Sequence, residues 1–136
     1  MLDYFIGYLN DCDEVYLFNY DNNTHYTKPF SPKVKENGIK FLKVFYDKGY
    51  KLYRKTDLDV KDTNCLELVI RPKEIPGQVY EVTIRITENT ISWWTTLGPM
   101  LRTVENLRGE EINTNFESVP DGLIKAIDEL YKELNL

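Results

Sequence analysis

Apolar and polar residues alternate most regularly between Tyr80 and Thr87, where Tyr80, Val82, Ile84 and Ile86 interleave with Glu81, Thr83, Arg85 and Thr87. A two-residue period places one set on a core and the other in water, so this stretch predicts a strand. Glu88-Asn89-Thr90 turns the chain, and Ile91 to Thr96 returns as a second strand carrying both tryptophans, Trp93 and Trp94. This hairpin is the expected centre of a sheet. Cys65 to Arg71, with Leu66, Leu68 and Ile70 on one side, and Tyr50 to Lys55 read as further strands. Val15 to Tyr20 is an aromatic, β-prone run and reads as a flanking strand.

Helical spacing appears at four places. Leu2, Phe5, Ile6 and Leu9 predict a short opening helix, weakened at Gly7 by up to about 1 kcal/mol. Ser31-Pro32 opens the clearest helix, over 32–48, because serine caps the first N–H groups and proline suits the first helical position. Val34, Gly38, Phe41, Leu42, Phe45 and Tyr46 form its inner face. Lys33, Glu36, Asn37, Lys40, Lys43 and Asp47 fall opposite, and Gly49 suits the left-handed residue beyond its end. Met100, Leu101, Val104 and Leu107 predict a helix over 99–108. Ser118, with Asp121 three residues on, predicts the start of a last helix over 119–134, whose stripe is Leu123, Ile124, Ile127, Leu130, Tyr131 and Leu134. Thr56 to Asn64 and Glu110 to Glu117 read as polar connections. The expected class is α+β: an antiparallel sheet of four to five strands, with the helices packed mainly on one face. No repeat or linker divides the chain, so 1–136 reads as a single globular domain.

Composition adds limits rather than a chemistry. With 42% hydrophobic and 29% charged residues the chain is neither disordered nor membrane-spanning, since no apolar run nears the roughly 18–20 residues a bilayer needs. Met1-Leu2-Asp3 lacks the basic start of a secretory signal. Cys12 and Cys65 match neither a zinc nor a redox spacing, and read as reduced thiols of a cytoplasmic protein. His25 is the one histidine. It lies in a polar segment, and a pair with Cys12 or Cys65 is open in space. Neither cysteine sits at an evident helix N-terminus or in a positive run that would favour the thiolate, so His25 reads as a surface histidine. The 57–64 segment imitates a calcium loop but lacks its turn glycine and closing glutamate. The glycines never form a phosphate-binding loop. No catalytic residue, metal or cofactor is expected.

Charge is the informative feature. The net charge is −5, yet residues 28–55 hold nine Lys or Arg against Glu36 and Asp47, leaving −12 on the other 108 residues. An acidic, tyrosine-rich domain suits a partner-binding protein that occludes a basic surface, as immunity proteins and inhibitors of nuclease toxins do. The expected contacts are Asp11, Asp13, Glu14, Asp57, Asp59, Asp62, Glu110 and Glu111, with Trp93 or Trp94 as anchor and Tyr16 or Tyr20 as further candidates. Two other readings stand beside it. One is a nucleic-acid binder using the basic 28–55 segment, where Tyr50 and Tyr53 interleave with cations. The other is a small-molecule site between sheet and helices.

Overall fold

The computed structural model describes residues 1–61, 64–98 and 102–136. The order is α1 (Leu2–Asn10), β1 (Glu14–Asn19), β2 (Thr24–Pro29), α2 (Pro32–Asp47), β3 (Leu58–Lys61), β4 (Cys65–Ile70), β5 (Val79–Ile86), β6 (Thr90–Gly98), β7 (Arg102–Thr103), β8 (Gly109–Ile112) and α3 (Asp121–Glu133). It is an α+β fold with two antiparallel sheets. The larger follows the order β3-β4-β5-β6, and β7 and β8 then share the outer edge of β6 in succession. The smaller is the β1–β2 hairpin alone.

The alternating stretch from Tyr80 to Thr87 is the middle of the larger sheet. Val82, Ile84 and Ile86 sit opposite Ile70, Leu68 and Leu66 of β4 and opposite Thr95, Trp93 and Ile91 of β6. All nine are buried. Helices α2 and α3 lie on this face, and α1 packs on α2. At Gly38, a β-carbon would stand 2.5 Å from Leu66 Cδ2 and 3.4 Å from Leu9 Cδ1. The bare glycine is therefore what lets α2, β4 and α1 close on one point. Trp93 is held in a similar way, its indole lying against Gly109 of β8 and Gly122 of α3 with no room for a β-carbon at Gly109.

Helix α2 starts and ends as its residues dictate. The Ser31 hydroxyl accepts from Val34 N–H. At the other end Tyr50 N–H donates to Phe45 O and Gly49 N–H to Tyr46 O, with Gly49 at φ +93°. Tyr50 stacks on Phe45, which completes this glycine-terminated cap. Asn37 departs from the amphipathic reading. It is buried, and its amide donates to the carbonyls of Thr87 and Glu88, fastening α2 to the β5–β6 turn.

Four local expectations change. Where a helix was expected over 99–108, the described part is β7 and a 3-10 turn at Glu105–Leu107, with β8 following; residues 99–101 lie outside the described residues. The backbone groups along β6 need partners, and the chain supplies them by running back along that edge instead of coiling away. Val104 and Leu107 keep their three-residue spacing in the turn, and the Thr95 hydroxyl donates to Leu107 O. Tyr50 to Lys55 is not a strand, because side chains take its amides: Leu52 N–H donates to Tyr46 Oη, and Tyr53 and Arg54 N–H both donate to Asp57 Oδ2. The strand lies instead in the expected loop, as β3. The last helix begins at Asp121 and not at Val119, since Val119 precedes Pro120 and is kept from helical geometry; Ser118 is therefore not its cap. The N-terminal strand does not flank the main sheet; among the described residues it pairs only with β2.

Two stability experiments follow from this packing. Gly38→Val should lower stability by about 1–3 kcal/mol in thermal or urea unfolding, as overpacking a filled site does. Gly7→Ala should raise it by about 0.5–1 kcal/mol, since nothing lies within 4 Å of a β-carbon there. Burial also raises the phenol pKa of Tyr46, Tyr50 and Tyr131, and for Tyr131 a hydroxyl contact with Tyr53 raises it further. A folded pKa above the unfolded value of about 10 favours the protonated fold. That contribution is intact below about pH 10 and is lost as pH climbs toward the folded values. Unfolding measured between about pH 8 and 11.5 should show stability falling above about pH 10, with a shallower fall in Tyr131→Phe.

Candidate functional site

Helix α1 buries Phe5 and Leu9 and turns its other side outward. Asp3, Tyr4, Gly7, Tyr8 and Asp11 recur at three- and four-residue steps on that outer side. They form one wall of a groove of about 980 Å³. The turn at Cys12 and Asp13 and the first residues of β1, Glu14, Val15 and Tyr16, continue the lining, and Val60 of β3 completes it. Val15 and Phe30, both buried, root the β1–β2 hairpin in the core, while the rest of the hairpin touches the body sparsely. Its tyrosines are consequently open: Tyr16 is 83% and Tyr20 87% exposed.

The groove is acidic. Asp3, Asp11, Asp13 and Glu14 are all exposed, and Asp13 pairs with Lys35 at 3.0 Å. Among the described residues, Asp3, Asp11 and Glu14 have no ion-pair partner. Burial raises the Tyr8 pKa, and the neighbouring Cys12 and Asp59 raise it further, so its hydroxyl stays a donor. Burial also pushes the Cys12 thiol up, with Asp13 adding to it and Lys35 opposing. That is the wrong direction for a nucleophile. His25 sits across from Phe18, toward the far end of the hairpin from Cys12, with its ring tilted at 60° against the Phe18 ring. The rings of the groove already hold a cation: Lys55 Nζ lies 4.7 Å from the centroid of Tyr4.

The expected contact residues separate into distinct places. Asp11, Asp13 and Glu14 come together here, with Tyr16 beside them. Asp59 is near Tyr8 but is paired with Lys61 at 2.9 Å. Asp57 must be withdrawn as a surface contact: it is buried, accepts two backbone N–H groups and pairs with Arg54. Asp62 lies outside the described residues. Glu110 and Glu111 are exposed on β8, four strand positions from β3, or about 19 Å across the sheet. They belong to a different surface. Trp93 must also be withdrawn, being 6% exposed beneath α3. Trp94 faces the side of the sheet away from the helices, half-buried, with the Arg85 guanidinium 5.2 Å from its ring and held there by Glu67.

Asp3, Tyr4 and Tyr8 join the site without having been expected from the sequence. Their signal was present as the complement of the Leu2, Phe5, Ile6 and Leu9 stripe. An aromatic and acidic face opposite an apolar one marks a helix with two surfaces to satisfy. Among the described residues no cluster of three or more metal-ligating side chains occurs, and no helix is long and apolar enough to cross a membrane. No protein-family model, curated protein or solved structure matches this chain, so function has to be argued from the groove's own chemistry.

Proposed function

We propose that this chain is a non-enzymatic binding protein that seats a basic segment of another protein in the groove between α1 and the base of the β1–β2 hairpin. The observation that carries the reading is the convergence of Asp3, Asp11, Asp13 and Glu14 with Tyr4, Tyr8 and Tyr16 around one concave surface. Exposed carboxylates accelerate the encounter with a cationic partner and reject acidic ones. Tyrosine rings supply contact area with few rotatable bonds, and each anchor typically contributes about 1–2 kcal/mol or more once desolvated. Lys35 on Asp13 and Lys55 over Tyr4 occupy two such positions intramolecularly, and they display the geometry a partner's lysine or arginine would adopt. A toxin or enzyme that handles a polyanion has a cationic active site, and covering that site would neutralise it.

The alternative readings have less support. Tyr50 is stacked on Phe45 and Tyr53 meets Tyr131 through its hydroxyl, so the rings of the basic segment are engaged within the protein instead of offered to bases. The space between helices and sheet is filled by Phe5, Phe41, Phe45, Leu66 and Leu68, each fully buried.

Selection from a random displayed-peptide library tests the proposal while leaving the partner's identity open. The wild-type protein should enrich lysine- and arginine-bearing peptides, and Asp11→Lys/Glu14→Lys should lose that enrichment. Glu110→Lys/Glu111→Lys, an equal charge change on the far edge, should retain it. Enrichment without basic residues, or loss with the β8 pair and not with the groove pair, would reject the groove as the binding surface.

A further inference from the structure

Three consecutive residues of one strand, Glu14, Val15 and Tyr16, line the groove. Their side chains alternate between faces, Val15 buried and Tyr16 open. A wall built from consecutive strand residues is the edge of the strand, with its backbone groups. Among the described residues, strand β1 pairs with β2 on one side only, in the register Glu14↔Pro29 to Asn19↔Thr24. The hydrogen bond from Phe30 N–H to Asp13 O extends this register by one pair and identifies Asp13↔Phe30 as a bonded pair. Bonded and non-bonded pairs alternate in an antiparallel ladder. Val15, Leu17 and Asn19 therefore spend their N–H and C=O groups on β2, and those of Glu14, Tyr16 and Phe18 point to the open edge. The Cys12 thiol donates to Glu14 O at 3.9 Å.

We infer that the basic segment binds as an extended strand added antiparallel to the open edge of β1, an inference that rests on the groove as the binding surface. Backbone groups of Glu14, Tyr16 and Phe18 then pair with alternate residues of the incoming strand. The residues directly opposite share a face with Glu14 and Tyr16. Lysine or arginine there meets a carboxylate at the first position and a phenol ring at the second, while Asp11 and Asp3 of α1 flank the charged side. The occupant is thus a segment of another protein with cationic residues at every second position. A second copy of this chain fits less well, because it would bring four like-charged carboxylates against the same four.

An eight-residue peptide alternating lysine and threonine, labelled with fluorescein, separates pairing from simple charge attraction. The lysines lie opposite Glu14 and Tyr16, so the lysine amides face β1 and the threonine amides face solvent. N-methylation of the lysine amides should weaken binding about tenfold or more in fluorescence anisotropy, and N-methylation of the threonine amides should change it by less than about threefold. Amide exchange at Glu14, Tyr16 and Phe18 should slow on binding. Equal effects of the two methylation patterns, with binding of the parent peptide abolished by Asp11→Lys/Glu14→Lys, would overturn strand addition and leave the groove reading intact. Failure of the parent peptide to bind, or indifference of its binding to that double substitution, would overturn both.

Discussion

The close approach of α2 to β4 at Gly38 is the constraint on which the rest of the molecule depends. With no side chain at that position, Leu66 of the sheet and Leu9 of α1 reach the same point on α2. Helix α1 is thereby held on one side, by the buried Phe5 and Leu9 with Leu2 packed beside them, and its opposite side is left facing outward. The hairpin that follows leaves the body immediately, because Val15 and Phe30 are its buried roots and the strands beyond them pair only with each other. A concave surface between a one-sided helix and a departing strand is the direct result.

Charge follows the same division. On the open face of the large sheet, acids and bases neutralise one another: Asp59 and Glu67 with Lys61, Glu67 with Arg85, and Glu81 with Arg71. Asp57 is consumed by backbone amides. Compensation is incomplete in the groove, where Lys35 answers Asp13 alone, and also on β8 and along α3, where the exposed Asp121, Asp128 and Glu133 have no ion pair among the described residues. The surplus negative charge is therefore not one continuous sheet of potential: besides the share on α3, the groove and the distant β8 edge each hold a part. At an ionic strength near physiological the two are separated by more than two screening lengths of about 8 Å, so they act independently.

The fold was legible from sequence where burial imposes a period. The β5–β6 hairpin and β4 stand out because one face of each is apolar and the other is not, and α2 and α3 because their stripes repeat over three or more turns. It was illegible where hydrogen bonding decides. Strands β3 and β8 are four residues each, and β8 lies at a sheet edge with few apolar positions, so backbone pairing and not hydrophobicity defines it. Tyr50 to Lys55 alternates like a strand, yet its amides bind Asp57 and Tyr46. Asn37 reads as solvent-facing until the distant carbonyls of Thr87 and Glu88 come to it. The groove was half legible. Asp11, Asp13 and Glu14 are adjacent in sequence and were visible as a charge cluster, whereas Asp3, Tyr4, Tyr8 and Val60 join them only through the packing of α1 and β3.

In the proposed function a single surface, between α1 and the root of the hairpin, receives the partner. An NMR titration of the isotope-labelled protein with a lysine-rich peptide enriched by the library selection examines that surface directly. Shift changes confined to residues 3–18 and Val60, with Glu110, Glu111 and the lysines of α2 unmoved, are the predicted result. Changes centred on β8, on the outer face of α2 or on Trp94, with residues 3–18 unperturbed, would contradict it.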